Sequence, residues 1–386
     1  MLANPKLVVM RIVHIGKYYP PIPGGIETVV RDIAVEQVRQ GHRVWVLSHW
    51  DRAGHPSTKE VIGGVNVLRI PIKAKVAYTP LAPSFPQILD QVLCSVQPDV
   101  VHVHLPNVAP FWLLKYKRCP PVVIHWHSDV LTSLRNVRLT LFYPGYAFFQ
   151  RRLLTRAAAV IATSREYLEK SRPLHRVRGK CIVVPLGLDS ARMNPVPQVD
   201  VNKAKPLVVS AGRFTYYKGF DVLIRAASRL PSQVEVVIAG EGEMRPRLQR
   251  EIHRLGLEHQ VSLPGRVSDR NLHTLMGQCR LFCLPSVDKT EAFGMVLLEA
   301  MYYARPLVST RVPGSGMQQV NEHGVTGLNV SPGDPHDLAA ALDFFIRNPY
   351  QAQLMGARGK EQVETKYHIA LVVRRLIQLY EPLKDL

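Results

Sequence analysis

The chain has 386 residues, of which 46% are hydrophobic and 20% charged, with five cysteines and a formal net charge of +19. This length predicts two domains, the composition excludes an intrinsically disordered protein, and so few cysteines exclude a disulfide-stabilised scaffold. The charge is uneven: residues 1–195 carry 26 Lys and Arg against 11 Asp and Glu, a net +15, and residues 196–386 carry 23 against 19, a net +4. A basic first half predicts a polyanionic partner, namely nucleic acid, phospholipid or a substrate with a pyrophosphate.

The first half is predicted to form a doubly wound α/β domain over residues 1–195. Short runs rich in Val and Ile alternate with helical patterns, and several runs are apolar on both faces, as a parallel sheet covered by helices requires. The runs are LVVMRIVHI, RVWVLS, VNVLRI, DVVHVH, PVVIHW, AAVIAT and CIVVP. The N-terminal run is too short for a signal peptide, and no run of about 18 apolar residues predicts a membrane span. Met10 is itself a natural start, so we expect residues 1–9 to be a dispensable extension.

The first loop, in PPIPGGIETVV, carries the glycine pair Gly24 and Gly25. The pair lies between the first strand and a helix that we expect to begin near Glu27. Glycines at such a point let backbone N–H groups approach a phosphate at the helix N-terminus. A tight turn explains the pair equally well, so the pair alone does not decide between the two interpretations.

Two strand ends carry histidines in alternation, His102 and His104 in DVVHVHLPN and His125 and His127 in VVIHWHSDV. For the second pair we expect one imidazole to face the core and the other a ligand. A lone histidine is more often structural than functional, and the same caution applies to the first pair.

Two segments, 105–121 and 134–156, mix aromatic with basic side chains. They contain Phe111, Trp112, Tyr143, Tyr146 and Phe148 beside Lys115, Lys117, Arg118, Arg135, Arg138, Arg151 and Arg152. Such mixtures suit docking on anionic lipid headgroups. A core helix with a solvated basic face explains them equally well.

The second half repeats the alternation of strands and helices and predicts a second doubly wound domain over residues 196–366. Its strand candidates are PLVVSAG, VEVVIAG, VSLPG, LFCLPS, PLVST and GLNVS. A proline-rich stretch without strands, residues 188–206, predicts the hinge. The last segment, 367–386, contains an amphipathic helix over about 369–380, which could pack on either domain, including back on the N-terminal one.

Loops at the carboxyl ends of the second domain's strands carry charges and glycines. In SAGRFTYYKGF, Arg213 and Lys218 can neutralise a diphosphate without a metal, although solvated surface charge explains them too. In IAGEGEMRP, Gly240 and Gly242 lack the third glycine of a dinucleotide fingerprint, so we predict a turn that lets a nucleotide pass close by, and no NAD site.

The segment TEAFGMVLLEA holds Glu291 just before a predicted helix and Glu299 inside it. The N-terminus of this helix, near Phe293 and Gly294, predicts an anion site. The two carboxylates could then bind hydroxyl groups at opposite ends of a ligand with an anionic middle. A nucleotide diphospho-sugar has that layout: sugar hydroxyls, diphosphate and ribose hydroxyls.

Taken in order, these motifs resemble those of retaining glycosyltransferases with the GT-B fold, in particular the large family 4 that includes bacterial mannosyl- and glucosyltransferases. The matching segments are GGIE at 24–27, GRFTYYKG at 212–219, GEG at 240–242, EAFGMVLLE at 291–299 and HGVTGLNVSPGD at 323–334. The two glutamates together with the Arg/Lys loop are the specific part. The resemblance implies two Rossmann-like domains facing each other across a cleft, with the acceptor on the N-terminal domain and the donor on the C-terminal one.

The resemblance also implies roles for individual residues. Arg213 and Lys218 would bind the donor diphosphate, and Glu299 its ribose. Glu291 and His127 are the implied catalytic residues, next to the transferred sugar. The remaining implied contacts are made by backbone groups. Those at the start of the helix would contact the sugar, those in the first loop would contact a phosphate, and those in LPGRVS would flank the base. The implied donor-binding residues are Gly25, Arg213, Lys218, Gly265, Arg266, Glu291, Phe293, Gly294, Met295 and Glu299.

The sequence has no Asp-x-Asp, the usual carboxylate pair for a metal-bound diphosphate, so we expect no metal and no cofactor. A helix N-terminus with two cations can stabilise the leaving nucleoside diphosphate instead. Retention of anomeric configuration is implied by the resemblance. We favour front-side attack, because no residue stands out as a nucleophile.

We therefore expect a metal-independent hexosyltransferase for cell-envelope polysaccharide or glycolipid synthesis, with mannose from GDP-mannose favoured over UDP-sugars. The expected acceptor is a glycan or a polyprenyl-diphosphate-linked glycan. The expected location is the cytoplasm, with peripheral binding to the anionic inner face of the cell membrane and no nucleic-acid partner. Two alternatives remain: a nucleotide-sugar hydrolase or epimerase of the same fold, and a basic nucleic-acid-binding protein. The latter would leave the loop motifs without a role, and the sequence has no nucleic-acid-binding signature.

Overall fold

The structure is a computed structural model, and it describes residues 9–76, 79–130, 137–197 and 204–384. Most of the predicted extension, residues 1–8, lies outside this range. The chain divides into two compact units, one formed by Met1–Gly187 with Ile369–Leu386 and the other by Leu188–His368. Each unit is built on a largely parallel sheet with helices between its strands, so the predicted α/β class is confirmed.

The first unit contains an eight-stranded sheet of order β10-β9-β8-β7-β1-β2-β4-β3. Its strands, with the ribbon β5–β6, are β1 (Arg11–Ile15), β2 (Arg43–His49), β3 (Thr58–Ile62), β4 (Val65–Ile70), β5 (Ala74–Val76), β6 (Thr79–Leu81), β7 (Val100–Leu105), β8 (Val122–Trp126), β9 (Ala159–Ala162) and β10 (Cys181–Val183). All pairings in the sheet are parallel except that of β3 with β4. β7, β8 and β9 are buried along their whole length, as their predominantly apolar pattern predicts, although β7 and β8 include histidines.

Among the described residues of the first unit, four α-helices precede residue 188. They are α1 (Gly25–Arg39), α2 (Phe85–Val96), α3 (Val137–Arg156) and α4 (Arg165–Lys170). α1 connects β1 to β2, which pair in parallel, so it is the crossover helix of a β–α–β unit. Its amino end lies at the carboxyl end of β1, the edge where doubly wound sheets bind ligands.

The second unit contains a six-stranded, fully parallel sheet of order β13-β12-β11-β14-β15-β16. Its strands are β11 (Leu207–Ala211), β12 (Glu235–Ala239), β13 (Val261–Gly265), β14 (Leu281–Leu284), β15 (Leu307–Thr310) and β16 (Gly327–Val330). Its helices are α5 (Phe220–Ala227), α6 (Arg245–Arg254), α7 (Asp269–Gln278), α8 (Met295–Tyr302), α9 (Met317–Val320), α10 (Pro335–Arg347) and α11 (Pro349–Thr365). The strand order reverses between β11 and β14, so the loops after these two strands border the switch point where such sheets bind ligands.

The last helix, α12 (Ile369–Tyr380), belongs to the first unit and packs against α1. Its apolar face is buried, and Gln40 Nε2 of α1 donates to the carbonyl of Ala370 at 3.2 Å. The sequence left two packing partners open because an amphipathic pattern shows only that one face is covered.

The observed division at Gly187 differs from the predicted boundary between residues 195 and 196. Residues 188–194 already belong to the second unit and bond to it. The N–H of Leu188 donates to the Tyr367 carbonyl at 2.8 Å, and the Tyr303 hydroxyl donates to the Asn194 carbonyl at 2.7 Å. The proline-rich composition used to place the hinge does not reveal such contacts. Among the described helices, none is long and apolar enough to cross a membrane.

Candidate functional site

Lys218 and Glu291 form an ion pair in the second unit, with Lys218 Nζ 2.5 Å from Glu291 Oε2. The two side chains are only 11% and 13% exposed, so the charges are largely removed from water. Burial acts to lower the pKa of Lys218, but the charge of Glu291 and the hydrogen bond to it outweigh burial and raise the pKa. Lys218 is therefore held as a cation at the carboxyl end of the sheet.

The loops after β11 and β14 pack directly on each other, which is what brings these two residues together. The N–H of Val287 donates to the Tyr217 carbonyl at 2.8 Å. Gly219 has φ +65°, and a Cβ added there would lie 2.1 Å from the carbonyl oxygen of Pro285. A side chain at residue 219 would force the loops apart, so glycine is required beside Lys218.

The G-x-G turn after β12 also packs on the loop after β11. A Cβ added at Gly240 would lie 1.9 Å from the carbonyl oxygen of Gly212, and the N–H of Phe214 donates to the Glu241 carbonyl at 2.8 Å. The glycine at 240 is thus explained by contact with another loop of the protein. The sequence predicts that a nucleotide passes close to this turn. The close neighbour that the structure shows at Gly240 is instead the backbone of the loop that holds Arg213.

Glu291 lies on a loop that leads into α8 and is fixed by the neighbouring loop. The Ser315 hydroxyl donates to the Glu291 carbonyl, and the Gly316 N–H donates to the Ala292 carbonyl at 2.7 Å. Gly294 is the N-cap, in the left-handed region with φ 81°, and the side chain of the preceding Phe293 is buried. α8 begins at Met295, close to the predicted start, and the positive end of its dipole follows Glu291 in the chain.

Glu299 is paired with a residue that the sequence analysis did not select. Arg192 Nη2 donates to Glu299 Oε1 at 2.9 Å, and the two side chains are 12% and 15% exposed. The two residues are far apart in the sequence, and no local pattern singles out Arg192. The pair fixes one carboxylate oxygen of Glu299.

The other predicted residues of the second unit differ in exposure. Arg213 is exposed, and its charge acts to lower the pKa of Lys218, so it belongs to the same electrostatic environment. Gly265 ends β13 with φ +83° and accepts a hydrogen bond from the Gly240 N–H at 2.9 Å, whereas Arg266 beside it is exposed. The structure thus places Arg213, Lys218 and Glu291 together and connects Gly265 to their loops through Gly240.

Gly25, the predicted phosphate-binding residue of the first unit, is the first residue of α1. The helix therefore begins two residues before the predicted start at Glu27, and Gly24 is its N-cap. A Cβ added at Gly24 would meet the Glu27 carboxylate at 1.9 Å, but one added at Gly25 would have no atom within 4 Å. The Glu27 carboxylate is the end of a flexible side chain that can move aside, and the φ of 168° at Gly24 is extended backbone that any residue adopts, so internal packing requires glycine at neither position.

His127 is one of five histidines that share one face of the first sheet; we call them the histidine cluster. Its members are His14, His102, His104, His125 and His127, each 5% exposed or less. The rings of His125 and His127 stack with centroids 4.4 Å apart. The expectation that the alternation turns these two imidazoles to different faces is therefore wrong, because residues two apart in a strand share a face, while the contact of His127 with the donor sugar stays a prediction.

Hydrogen bonds join three rings of the cluster to the side chain of Gln37 on α1. Gln37 Oε1 lies 2.7 Å from His14 Nε2, His14 Nδ1 lies 3.0 Å from His104 Nε2, and His104 Nδ1 lies 2.9 Å from His127 Nε2. Burial lowers the pKa of His14 to about 4 and that of His127 to about 3, so both are neutral near pH 7.

Two sets of three histidines have ligand atoms within 4.8 Å of one another, namely His14, His102 and His104, and His104, His125 and His127. Neutral imidazoles are metal ligands, so the prediction that the protein needs no metal has to be tested by experiment.

The two segments that mix aromatic and basic residues include a short 3₁₀ helix at Ala109–Lys115 and α3. Arg135 lies outside the described residues, as does the side chain of Arg138. Some of these side chains contact other protein groups: the Phe111 ring packs on Tyr146, and the Lys115 ammonium lies 2.7 Å from Asp90 in an exposed ion pair. Large apolar side chains are exposed at Trp112, Leu141, Phe142, Phe148 and Phe149.

Comparison with known proteins identifies the family of both units. A sequence model described as Glycosyltransferase Family 4 matches residues 23–192, and one described as Glycosyl transferases group 1 matches residues 195–362. Similar proteins include O-antigen chain mannosyltransferase C from Escherichia coli, with 28% identity over 97% of this chain and 99% of that protein. D-rhamnosyltransferase WbpZ from Pseudomonas aeruginosa is 30% identical over 90% of this chain and 89% of its own length.

Solved structures agree in fold. Sucrose-phosphate synthase from Thermosynechococcus elongatus superposes with a TM-score of 0.81 at 21% identity, covering 97% of this chain and 99% of that one. HepE from Anabaena, solved in complex with UDP-glucose, has a TM-score of 0.73 at 21% identity and covers 97% of this chain and all of that one. With two family models matching successive halves and a relative 30% identical over most of the chain, the predicted enzyme class is confirmed: the chain belongs to glycosyltransferase family 4 and is a glycosyltransferase with the GT-B fold.

Proposed function

We propose that this enzyme is a metal-independent, retaining hexosyltransferase that uses a nucleoside diphospho-sugar. It transfers the hexose to a glycan or a lipid-linked glycan in cell-envelope polysaccharide or glycolipid synthesis. The observation that carries the proposal is the buried Lys218–Glu291 pair, held by interlocked loops at the amino end of α8. The Lys218 ammonium and the amino end of α8 attract an anion, and the Glu291 carboxylate accepts hydrogen bonds from hydroxyls.

The chemistry proposed for this site is stabilisation of the leaving nucleoside diphosphate. Lys218 and Arg213 neutralise its developing charge, and the N–H groups at the start of α8 donate hydrogen bonds to it. Glu291 accepts a hydrogen bond from the sugar, and Glu299, oriented by Arg192, accepts one from the ribose. Fixed donors of this kind do not reorganise during the reaction, which is why they lower its barrier.

The same arrangement supports the proposal of metal independence. The sequence has no Asp-x-Asp, and the side chains that would meet the diphosphate here are cations. A divalent ion placed beside Lys218 and Arg213 would be repelled by them. We propose that the two cations replace the metal.

Mannose is the favoured sugar because relatives of the chain are named as mannosyltransferases. Besides the Escherichia coli protein, phosphatidyl-myo-inositol mannosyltransferase from Mycobacterium leprae is 26% identical over 96% of each protein. We propose GDP-mannose as the donor and rank UDP-sugars second, since HepE was solved with UDP-glucose. We propose no cofactor.

For Gly25 we propose that its backbone N–H binds a phosphate. No protein atom would contact a Cβ at this position, yet the residue is glycine, which a close ligand would explain. Gly25→Ala should leave the fold intact, since residue 25 is helical, and should lower donor turnover. Normal turnover in Gly25→Ala would remove Gly25 from the site.

We propose that the first unit binds an anionic membrane surface through α3 and its surroundings, on the cytoplasmic side. The Arg152 guanidinium lies 4.7 Å from the ring centroid of Phe148, so cation and apolar surface are presented together, as at a headgroup interface. A bound lipid-linked acceptor would be met at the same surface.

The nucleotide-sugar hydrolase or epimerase remains the alternative within this fold. The experiment that separates it from a transferase supplies GDP-mannose with a membrane-lipid extract and follows labelled sugar. A transferase moves the label into lipid or glycan, whereas a hydrolase releases free mannose and an epimerase changes the nucleotide sugar.

A further inference from the structure

The contacts from Gln37 to His127 form one continuous chain of hydrogen bonds inside the first unit. Its links are Gln37 Oε1 to His14 Nε2, His14 Nδ1 to His104 Nε2 and His104 Nδ1 to His127 Nε2, at 2.7, 3.0 and 2.9 Å. All three imidazoles are nine-tenths buried or more. The chain crosses from α1 through β1 and β7 to the residue that follows β8.

The first link sets the direction of all the others. A neutral imidazole has one N–H and one bare nitrogen, and an amide oxygen only accepts. With the amide oxygen of Gln37 facing His14, His14 donates from Nε2 to Gln37 Oε1, which leaves His14 Nδ1 to accept from His104 Nε2–H. In the same way His104 Nδ1 accepts from His127 Nε2–H. His127 is left with a bare Nδ1, which has no partner among the described residues.

We propose that Gln37, acting through His14 and His104, holds His127 as the Nε2–H tautomer, so that its bare Nδ1 can accept a hydrogen bond from a hydroxyl of the transferred sugar. Gln37, His14 and His104 are positioning residues in this account, and His127 is the one that contacts substrate. The sugar contact rests on the proposed function, whereas the tautomer of His127 follows from the chain of hydrogen bonds alone.

The opposite tautomer would change both ends of the hydrogen-bonded chain. It would turn His127 Nδ1 from an acceptor into a donor, so the sugar hydroxyl would have to accept the hydrogen bond instead of donating it. It would also leave His14 Nε2 without a proton facing the amide oxygen of Gln37, so two acceptors would face each other in a buried site. The amide oxygen of Gln37 therefore selects the tautomer of His127 through the two intervening imidazoles, His14 and His104.

A metal ion is the competing interpretation of the histidine cluster. Ligand nitrogens of one zinc ion lie about 3.3 Å apart when each bond is 2.0–2.1 Å and the angles are tetrahedral. The 2.9 and 3.0 Å contacts of the chain fit N–H···N hydrogen bonds better. The hydrogen-bonded chain is therefore favoured, and a bound metal is an outcome that the test can return.

The test is ring-nitrogen NMR on full-length protein labelled with ¹⁵N-histidine, which distinguishes a protonated from a bare nitrogen. The His127 resonances are identified by their loss in His127→Gln. The expected wild-type result is a protonated Nε2 and a bare Nδ1. The opposite pattern, or ring nitrogens shifted by a stoichiometric transition metal found by elemental analysis, would overturn the proposal. This measurement on the wild type decides the tautomer even if Gln37→Met, the variant used for the kinetic test, fails to fold.

The variant Gln37→Met removes the terminal acceptor at similar side-chain volume. We expect His127 to populate both tautomers and kcat to fall about tenfold or more, with the donor KM changed less than twofold. GDP-mannose, UDP-glucose and UDP-N-acetylglucosamine are the probes. Ser309→Ala is the control, because it removes a buried hydrogen bond, 2.6 Å from Ser309 Oγ to Asn329 Oδ1, in the second unit and away from the histidine cluster. It should change neither readout.

Unchanged tautomer and unchanged kcat in Gln37→Met, with normal folding, would refute the positioning role. An equal loss of kcat in Ser309→Ala would also refute it, because the loss would then follow from removing any buried hydrogen bond. A wild type that turns over no nucleotide sugar but shows the expected tautomer would support the hydrogen-bonded chain from Gln37 to His127 and would refute the proposed function instead.

Discussion

Removing one partner of the Lys218–Glu291 pair should damage both stability and catalysis, and the two effects can be separated. In Lys218→Ala or Glu291→Ala the remaining charge is left nearly buried, at 11% or 13% exposure. Breaking a buried pair in this way costs about 3–5 kcal/mol. For a unit of this size that corresponds to a melting temperature lower by about 6–20 °C.

The catalytic effect comes from the lost donor contact. Loss of a charge or hydrogen bond that stabilises the leaving group costs about 2–4 kcal/mol, which is about a 30- to 1000-fold fall in kcat/KM. The double variant Lys218→Met/Glu291→Leu replaces the pair by apolar side chains of similar size and should recover most of the melting temperature. It should remain inactive, because neither replacement can bind phosphate or a hydroxyl.

The assay is release of nucleoside diphosphate below the melting temperature of every variant, with melting followed in parallel. Arg347→Ala is the matched control, since it breaks the 2.6 Å Arg347–Asp343 pair in the same unit while Arg347 is 70% exposed. That exposed pair should contribute less than about 1 kcal/mol, and activity should be unchanged. Near-normal turnover in either single variant or in the double variant would refute the assignment of the donor site.

Three further predictions concern metal, membrane and pH. Turnover should survive exhaustive EDTA treatment; if Mg²⁺ or Mn²⁺ is needed to restore it, the electrostatic account is wrong. The protein should sediment with anionic vesicles at low salt and less so at physiological salt, since each basic residue near the surface contributes about 1 kcal/mol. Replacing Lys115, Lys117 and Arg118 together should weaken this binding without loss of turnover on a soluble acceptor; no sedimentation at low salt would contradict it. Burial lowers the pKa of His14 to about 4 and that of His127 to about 3, so the unfolded chain binds more protons below pH 6.5. The free energy of unfolding should therefore fall from pH 7 to pH 5.5 by about 1 kcal/mol for each clustered histidine, and equal stability at both pH values would contradict neutral burial.

Much of the fold could be predicted because strands buried on both faces have a distinctive sequence. β14 is an uninterrupted apolar run, β7 and β8 are apolar except for their histidines, and the motifs selected residues in or just after these strands. β3 was not predicted, since this edge strand alternates intermediate and exposed residues and includes Lys59 and Glu60. Local pattern is strong only where burial is complete.

The candidate site was predicted in part, for a similar reason. The types and loops of Lys218 and Glu291 could be read from the sequence, but their ion pair could not, because it depends on how two loops pack. Arg192 and Glu299 are joined in the same way. The histidine cluster draws on three strands, so His14 and Gln37 gave no local signal, and the alternation of His125 and His127 was misinterpreted.

The central claim is that the second unit binds a nucleoside diphospho-sugar at Lys218 and Glu291 for glycosyl transfer. The most direct measurement is turnover of GDP-mannose, UDP-glucose and UDP-N-acetylglucosamine by wild type and by Lys218→Met/Glu291→Leu, with a membrane-lipid extract as acceptor. The account predicts transfer of labelled sugar from at least one donor by the wild type and none by the double variant. Transfer by both proteins at equal rates, or by neither from any nucleotide sugar, would contradict it.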